Sequence, residues 1–276
     1  MVPLLLTGAT GYLGSRVAAA IDRAGLACDV LSQRLETIEP NSLAGYRTVL
    51  HCAGALRNRP EQQQTANVDG TGALLRGLAP NCRVIFVSSR SVYPATGHVS
   101  VDESQQPRPW DGYGTSKLLA EMALKDSGRP FVIFRSSALF GHPYRSGTFP
   151  DHAVDHALAG NSIELATPDR QIDYLDVDML AELLLRACAE GKHWGQIFNV
   201  AGPSRSLTGM IETLQNRLLE VVGLRASINA VDIAIPQYPL LDSRRVQSCF
   251  PNCSQASDSV IFSRMLAGRS QMLSVD

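Results

Sequence analysis

The chain contains no apolar run approaching the ~20 residues that a membrane-spanning helix requires, which excludes a helical membrane protein. It also lacks an excess of either charge: 25 Lys and Arg against 26 Asp and Glu leave a formal net charge of −1. There is therefore no electrostatic reason to expect nucleic acid or an anionic membrane as a partner. No C-x-x-C pair is present. The cysteines at 28, 52, 82, 188, 249 and 253 are scattered, two of them inside strand-like runs, as expected of reduced structural thiols in a cytoplasmic protein. The early apolar run Val2 to Leu6 has no basic flank and passes straight into a glycine-rich turn, so it reads as a strand and not as a signal peptide. His152 and His156 are four apart, but no third ligand or flanking catalytic Glu accompanies them, and no metal is expected. No internal repeat is visible.

What the chain does have is a core: 276 residues at 45% hydrophobic content suffice for one large α/β unit and a small lobe. Strand-like segments at 2–6, 28–32, 47–52, 83–88 and 130–135 alternate with helix-like segments near 12–24, 61–79 and 112–127. That alternation predicts a doubly wound parallel sheet of Rossmann type, whose right-handed crossovers collect the loops of interest at the carboxyl edge. Further on, 153–159, 177–190 and 207–222 read as helices, and a Pro-containing stretch surrounds Pro236 and Pro239.

Two motifs carry chemistry. Thr7-Gly8-Ala9-Thr10-Gly11-Tyr12-Leu13-Gly14 lies between the first strand and an amphipathic helix. A pyrophosphate fits there, against backbone that lacks side chains and the positive end of a helix dipole. Tyr113 and Lys117, four apart, share one helix face. An ammonium near the phenol is expected to draw the tyrosine towards working pH, so that it exchanges a proton with a carbonyl or alcohol oxygen. The strand ending at Ser89 delivers a hydroxyl donor beside it. His51, in an apolar strand, reads as a packed, hydrogen-bonded core histidine. Arg57 and Arg59 follow the next strand edge and either guard a substrate mouth or are simply solvated.

With these residues in hand the chain resembles the extended branch of the short-chain dehydrogenase/reductase superfamily, the epimerase/dehydratase-like group. TGATGYLG is similar to its glycine signature, His51-Cys-Ala-Gly54 to its HLAA segment and Asn67-Val-Asp-Gly-Thr71 to its N-V-x-G-T helix. Val87-Ser-Ser-Arg-Ser-Val-Tyr93 resembles the strand bearing the catalytic Ser or Thr, and Phe134-Arg-Ser-Ser-Ala-Leu-Phe-Gly141 a later landmark strand. The resemblance implies Ser89, Tyr113 and Lys117 as catalytic residues. It implies Gly8, Thr10, Gly11, Tyr12, Leu13, Gly14, Arg34, Ala53, Gly54, Tyr113, Lys117 and Ser136 as cofactor-binding residues. It further implies a Rossmann domain at 1–142 and 173–202, a substrate lobe at 143–172 and 203–276, and a homodimer through the YxxxK helix.

The cofactor is expected to be NADP, with NAD the alternative. The second strand ends without a carboxylate at Ser32 or Gln33, and Arg34 is placed to meet a 2′-phosphate. Asp29 is the rival but falls early in the strand, and Glu36 occupies a position where the family often has an acid facing adenine. Dehydration is disfavoured, because Arg90-Ser91 stand where the group's dehydratases carry an Asp-Glu pair. The expected reaction is reduction of a keto group on a sugar, with a nucleotide sugar as the small-molecule substrate. The family's diphosphate contacts correspond here to Ala138 and Ile172, which leaves Arg170 as a substitute. A retained-NAD epimerase, a reductase of a small non-sugar ketone and a non-catalytic NADP-binding regulatory subunit are the alternatives.

Overall fold

A strand buried on both faces reads as a near-continuous apolar run, and the first one does: β1 (Leu4–Thr7) runs Leu-Leu-Leu-Thr and is fully covered. The computed structural model describes residues 4–95, 97, 99–142, 147–232 and 238–273, with side chains through 269. The expectations touching Val2, residues 143–146 and Pro236 fall outside those residues. α1 (Tyr12–Arg23) buries Leu13, Val17, Ala20 and Ile21 at the spacing the sequence predicts. It is followed by β2 (Cys28–Leu31) and β3 (Thr48–His51). The next helical stretch is not one regular helix. α2 (Pro60–Gln62) passes through a π-helical segment, Gln63–Asp69, into α3 (Gly70–Gly77). β4 (Arg83–Ser89) and the short β5 (Ser100–Val101) lead to α4 (Gly112–Asp126), which is capped by Asp111 accepting the Gly114 N–H at 2.7 Å. β6 (Phe131–Ser136) follows.

Beyond it lie β7 (Leu139–Phe140), α5 (Phe149–Leu158), β8 (Ile163–Thr167), β9 (Gln171–Ile172), β10 (Leu175–Asp176) and α6 (Val177–Glu190). Then come β11 (Gln196–Val200), β12 (Arg205–Ser206), α7 (Leu207–Val222), β13 (Ile228–Asp232), β14 (Leu240–Leu241), α8 (Arg244–Cys249) and α9 (Asp258–Leu273). α5 starts four residues earlier than its apolar pattern suggests, because Pro150 sits in its first turn and Thr148 with Asp151 closes a capping box.

The main sheet has six parallel strands in the order β11-β6-β4-β3-β1-β2. The order reverses between β1 and β3, which opens a crevice at their carboxyl ends. One face is covered by α1 and α6, whose Val17, Ile21, Leu180 and Leu184 share a core with Leu6, Phe134 and Phe198. The other is covered by α3 and α4 through Leu74, Ala120 and Leu124. A second core gathers Phe140, Val154, Ile172, Met210, Leu214, Phe262 and Leu266 from the elements after β6. Val246 and Phe250, although late in the chain, pack into the first core against β11. Among the described residues no helix is long and apolar enough to cross a membrane.

Candidate active site

The glycine turn follows from contacts that forbid a side chain. Gly8 has φ +74°, and a Cβ there would stand 2.6 Å from the Ala53 nitrogen; one on Gly14 would stand 1.9 Å from the Gly8 carbonyl oxygen. The strand-to-helix connection is thereby drawn against the end of β3, which brings Gly8, Gly11, Gly14, Ala53 and Gly54 to the switch point. Gly11 is the N-cap of α1 and provides no side-chain cap, so the first-turn N–H groups are available to an anion. The site fits a dinucleotide pyrophosphate. Thr10, Tyr12 and Leu13 lie in the same turn, and the Tyr12 hydroxyl donates to the Gly141 carbonyl at 3.0 Å, joining the turn to the segment after β7. The Ser136 hydroxyl is turned onto the Ser88 carbonyl at 3.4 Å.

The second strand ends as the sequence suggests. Arg34 is exposed at the start of the turn Leu35–Thr37, with Glu36 3.9 Å away. Asp29 lies inside β2, and its carboxylate accepts the Tyr46 hydroxyl at 2.8 Å.

Ser89 ends β4 and Tyr113 lies in the first turn of α4, where the serine hydroxyl acts on the phenol. Burial pushes the Tyr113 phenol above its ordinary value, while the Arg57 charge and the Ser89 bond pull it back. Burial thus opposes the downward shift of the phenol expected from the sequence, and the Arg57 guanidinium lies over the Tyr113 ring, 5.2 Å from its centroid. Lys117 donates from Nζ to the Val87 carbonyl at 2.9 Å and lies 4.9 Å above the Phe86 ring. Burial brings its ammonium down to about 8. Gly54 keeps this corner open, since a Cβ there would be 2.7 Å from Asn67 Oδ1 and 3.5 Å from Lys117 Nζ.

Several residues outside the expected catalytic and cofactor-binding set complete the site. Asn67 sits in the π-helical segment, where its amide takes the Ala55 N–H at 2.7 Å and donates to Ser116 at 2.9 Å, tying the loop after β3 to α4. Its motif, Asn67-Val-Asp-Gly-Thr71, was visible in the sequence, and an Asn inside a helical run, where it is a poor helix former, is a further hint of its role. Arg90 is not free to shuttle protons: it donates to Asp173 at 2.5 Å. Beneath the site Arg135 meets Glu121 through Nε at 3.0 Å and Nη2 at 2.6 Å, and Ser88 donates to the same carboxylate at 2.6 Å. Arg135 also donates to the Tyr93 hydroxyl, which donates to Asn199.

His51 is the core histidine expected. Its two ring nitrogens bond Thr7 and Thr71 at 2.8 and 3.0 Å, and burial lowers it to about 3. His152 and His156 are exposed on α5, at the edge of a cavity of about 300 Å³ shared with Phe149, Ile163, Arg170 and Leu207. No group of three or more metal-capable side chains occurs among the described residues.

Residues 4–201 match the sequence profile of the NAD dependent epimerase/dehydratase family. The chain belongs to that family. It is accordingly an NAD(P)-dependent enzyme of the extended short-chain dehydrogenase/reductase type. Among curated proteins it is similar to GDP-6-deoxy-D-mannose reductase of Pseudomonas aeruginosa, 25% identical over 264 residues that cover 86% of this chain and 83% of the other. Among solved structures, the UDP-glucuronic acid 4-epimerase of Bacillus cereus in complex with NAD superposes with a TM-score of 0.83 at 18% identity, covering 98% and 99% of the two chains. The Bordetella bronchiseptica enzyme WbmH in complex with NAD+ gives 0.82 at 19%, with the same coverage. At these identities the structural likeness speaks for the fold.

Proposed function

We propose that this family member reduces the keto group of a nucleotide-linked sugar, with Tyr113 as the proton donor, Ser89 as the hydroxyl that orients the carbonyl oxygen, and NADPH as cofactor. The observation that carries the reading is the Ser89–Tyr113 pair at the carboxyl edge of β4, with Arg90 locked on Asp173 where a dehydratase needs its acid and base. When bound, the nicotinamide supplies or accepts a hydride. The remaining work belongs to the chain. Tyr113 releases its phenolic proton to the developing alkoxide, Ser89 holds that oxygen, and Lys117 provides a buried ammonium on the same side of α4.

Gly8, Gly11 and Gly14 are the residues to hold the pyrophosphate, helped by Thr10, Tyr12 and Leu13. Ala53, Gly54 and Ser136 would complete the set of residues that hold the cofactor. Arg34 is the residue to meet a 2′-phosphate, and the engagement of Asp29 by Tyr46 supports NADP over NAD on this chain's own residues. The NAD held by the structurally similar UDP-glucuronic acid 4-epimerase supports the other cofactor and with it the epimerase reading, the second hypothesis. The cavity beside Phe149 and Arg170 is the candidate seat of the nucleotide end of the substrate, in the lobe we assign to 143–172 and 203–276. Exposed Leu119 and Met122 on α4 support a homodimer through that helix.

The test is spectrophotometric. Incubation of NADPH with GDP-, TDP- and UDP-linked 4-keto-6-deoxyhexoses should consume NADPH in step with alcohol formed. Interconversion of C4 epimers without net loss of nicotinamide would replace the reductase with the epimerase. Turnover restricted to simple ketones would remove the nucleotide sugar.

A further inference from the structure

Arg57 comes from the loop after β3 and is held over Tyr113 from several sides. It forms an ion pair with Asp111, the N-cap of α4, and donates from Nη2 to Ser91 Oγ at 2.7 Å. Its guanidinium also stands 4.9 Å from the Tyr238 ring centroid and 5.9 Å from that of Trp110. Ser91 Oγ in turn accepts from Ser89 Oγ at 3.1 Å, and the Ser89 hydroxyl acts on the phenol. Arg57 thus reaches Tyr113 by two routes: through space across the ring face, and through a bridge of two serine hydroxyls.

The charged and titratable groups around Tyr113 can be named by element. The loop after β3 contributes Arg57. The end of β4 contributes Ser89, with Arg90 committed to Asp173. α4 contributes Asp111 before the tyrosine and Lys117 one turn beyond it, the latter bonded to the Val87 carbonyl. The segment before β14 contributes Tyr238, which stacks on both Arg57 and Arg90. Of these, Asp111 is the carboxylate, and it lies against Arg57.

We propose that Arg57 is a positioning residue for Tyr113: it orients the phenol through Ser91 and Ser89 and supplies the positive charge over its ring, while Asp111 sets how much of that charge the ring feels. The inference deepens the reading of Tyr113 as proton donor and rests on it. Burial opposes ionisation of the phenol, and a cation at this distance offsets part of that opposition. The Arg57–Asp111 pair also ties the loop after β3 to the first turn of α4, so the orientation of Tyr113 depends on it directly.

The experiment is an ultraviolet difference titration of the phenolate, each protein measured against its own Tyr113→Phe counterpart so that one tyrosine is followed without any substrate. Arg57→Gln should move the midpoint up by about one pH unit. Asp111→Asn keeps a side-chain oxygen for the Gly114 N–H and removes the opposing charge, so it should move the midpoint down. Arg57→Lys should restore the position of the midpoint while losing the fork that engages Ser91 and Asp111 together. Shifts of opposite sign support the proposal. A Tyr113 midpoint unchanged in both Arg57→Gln and Asp111→Asn overturns it, and should Arg57→Gln fail to fold, Asp111→Asn alone decides. The titration does not depend on turnover, so loss of the proton-donor reading would show separately, as a Tyr113→Phe protein with undiminished activity.

Discussion

Replacing Glu121 with leucine should cost this fold more stability than any other single exchange of similar volume on α4. The carboxylate is fully buried and accepts from Arg135 twice, at 3.0 and 2.6 Å, and from Ser88 at 2.6 Å. Arg135 is itself 2% exposed, so its guanidinium has no route to water. Removing the partner of a buried ion leaves an uncompensated charge, which costs about 3–5 kcal/mol. The orphaned Ser88 hydroxyl adds about 1 kcal/mol more. Urea unfolding at neutral pH, followed by far-ultraviolet circular dichroism, should therefore show a midpoint reduced by roughly 4–6 kcal/mol divided by the m-value, with the m-value itself preserved. The double variant Glu121→Leu/Arg135→Met should recover most of the loss, because an apolar pair of similar volume replaces the ionic one. A single variant destabilised by less than about 1.5 kcal/mol would mean that Arg135 finds another partner, and would refute the view that this pair anchors α4 beneath Tyr113 and Lys117.

Asp151 and Arg34 give two further expectations. Burial raises the Asp151 carboxyl from 3.8 to about 6, so its proton is held more tightly by the folded chain. The stability it contributes is complete below about pH 4 and is lost as the pH rises through about 6, a difference of about 3 kcal/mol. Asp151→Asn should abolish that component; a parent-minus-variant stability difference that is the same at pH 4 and pH 7 would contradict it. His51, lowered to about 3 by burial, acts in the opposite sense, weakening the fold as the pH falls below about 6.5, so the comparison must be made against the parent at each pH. Calorimetric titration should show NADPH binding more tightly than NADH, and Arg34→Ala should remove roughly ten- to a hundredfold of that preference. Equal affinities in the parent would return the ribose contact to Asp29 or Glu36.

Much of the fold was legible because its signals are periodic. The β1 run, the spacing of Leu13, Val17, Ala20 and Ile21, and the Tyr113–Lys117 interval each follow from one local rule, and the elements lie within a residue or two of where those rules put them. The glycine turn was legible for a similar reason, since Gly8 and Gly14 are dictated by contacts that leave no room for a side chain. What escaped was non-local. The Arg57 position depends on Asp111, Trp110 and Tyr238, which meet only once three loops have come together. The Glu121–Arg135 pair joins a helix to a strand, and no spacing rule connects them. The π-helical geometry that turns Asn67 onto Ala55 and Ser116 has no spacing signal of its own, and the stretch reads in sequence as part of one helix at 61–79. The expectation for Lys117 was drawn from its position on the helix face, and burial then gave its ammonium a backbone carbonyl as partner.

The most direct test of the central claim is a comparison of the parent with Tyr113→Phe in the NADPH assay on a nucleotide-linked 4-keto sugar, with cofactor affinity measured on both. Removing the hydroxyl deletes the transferable proton and little buried surface, so turnover should fall by about 10²–10⁴-fold while NADPH binds as before. A Tyr113→Phe protein that consumes NADPH at the parental rate would contradict the assignment of Tyr113 as the proton donor.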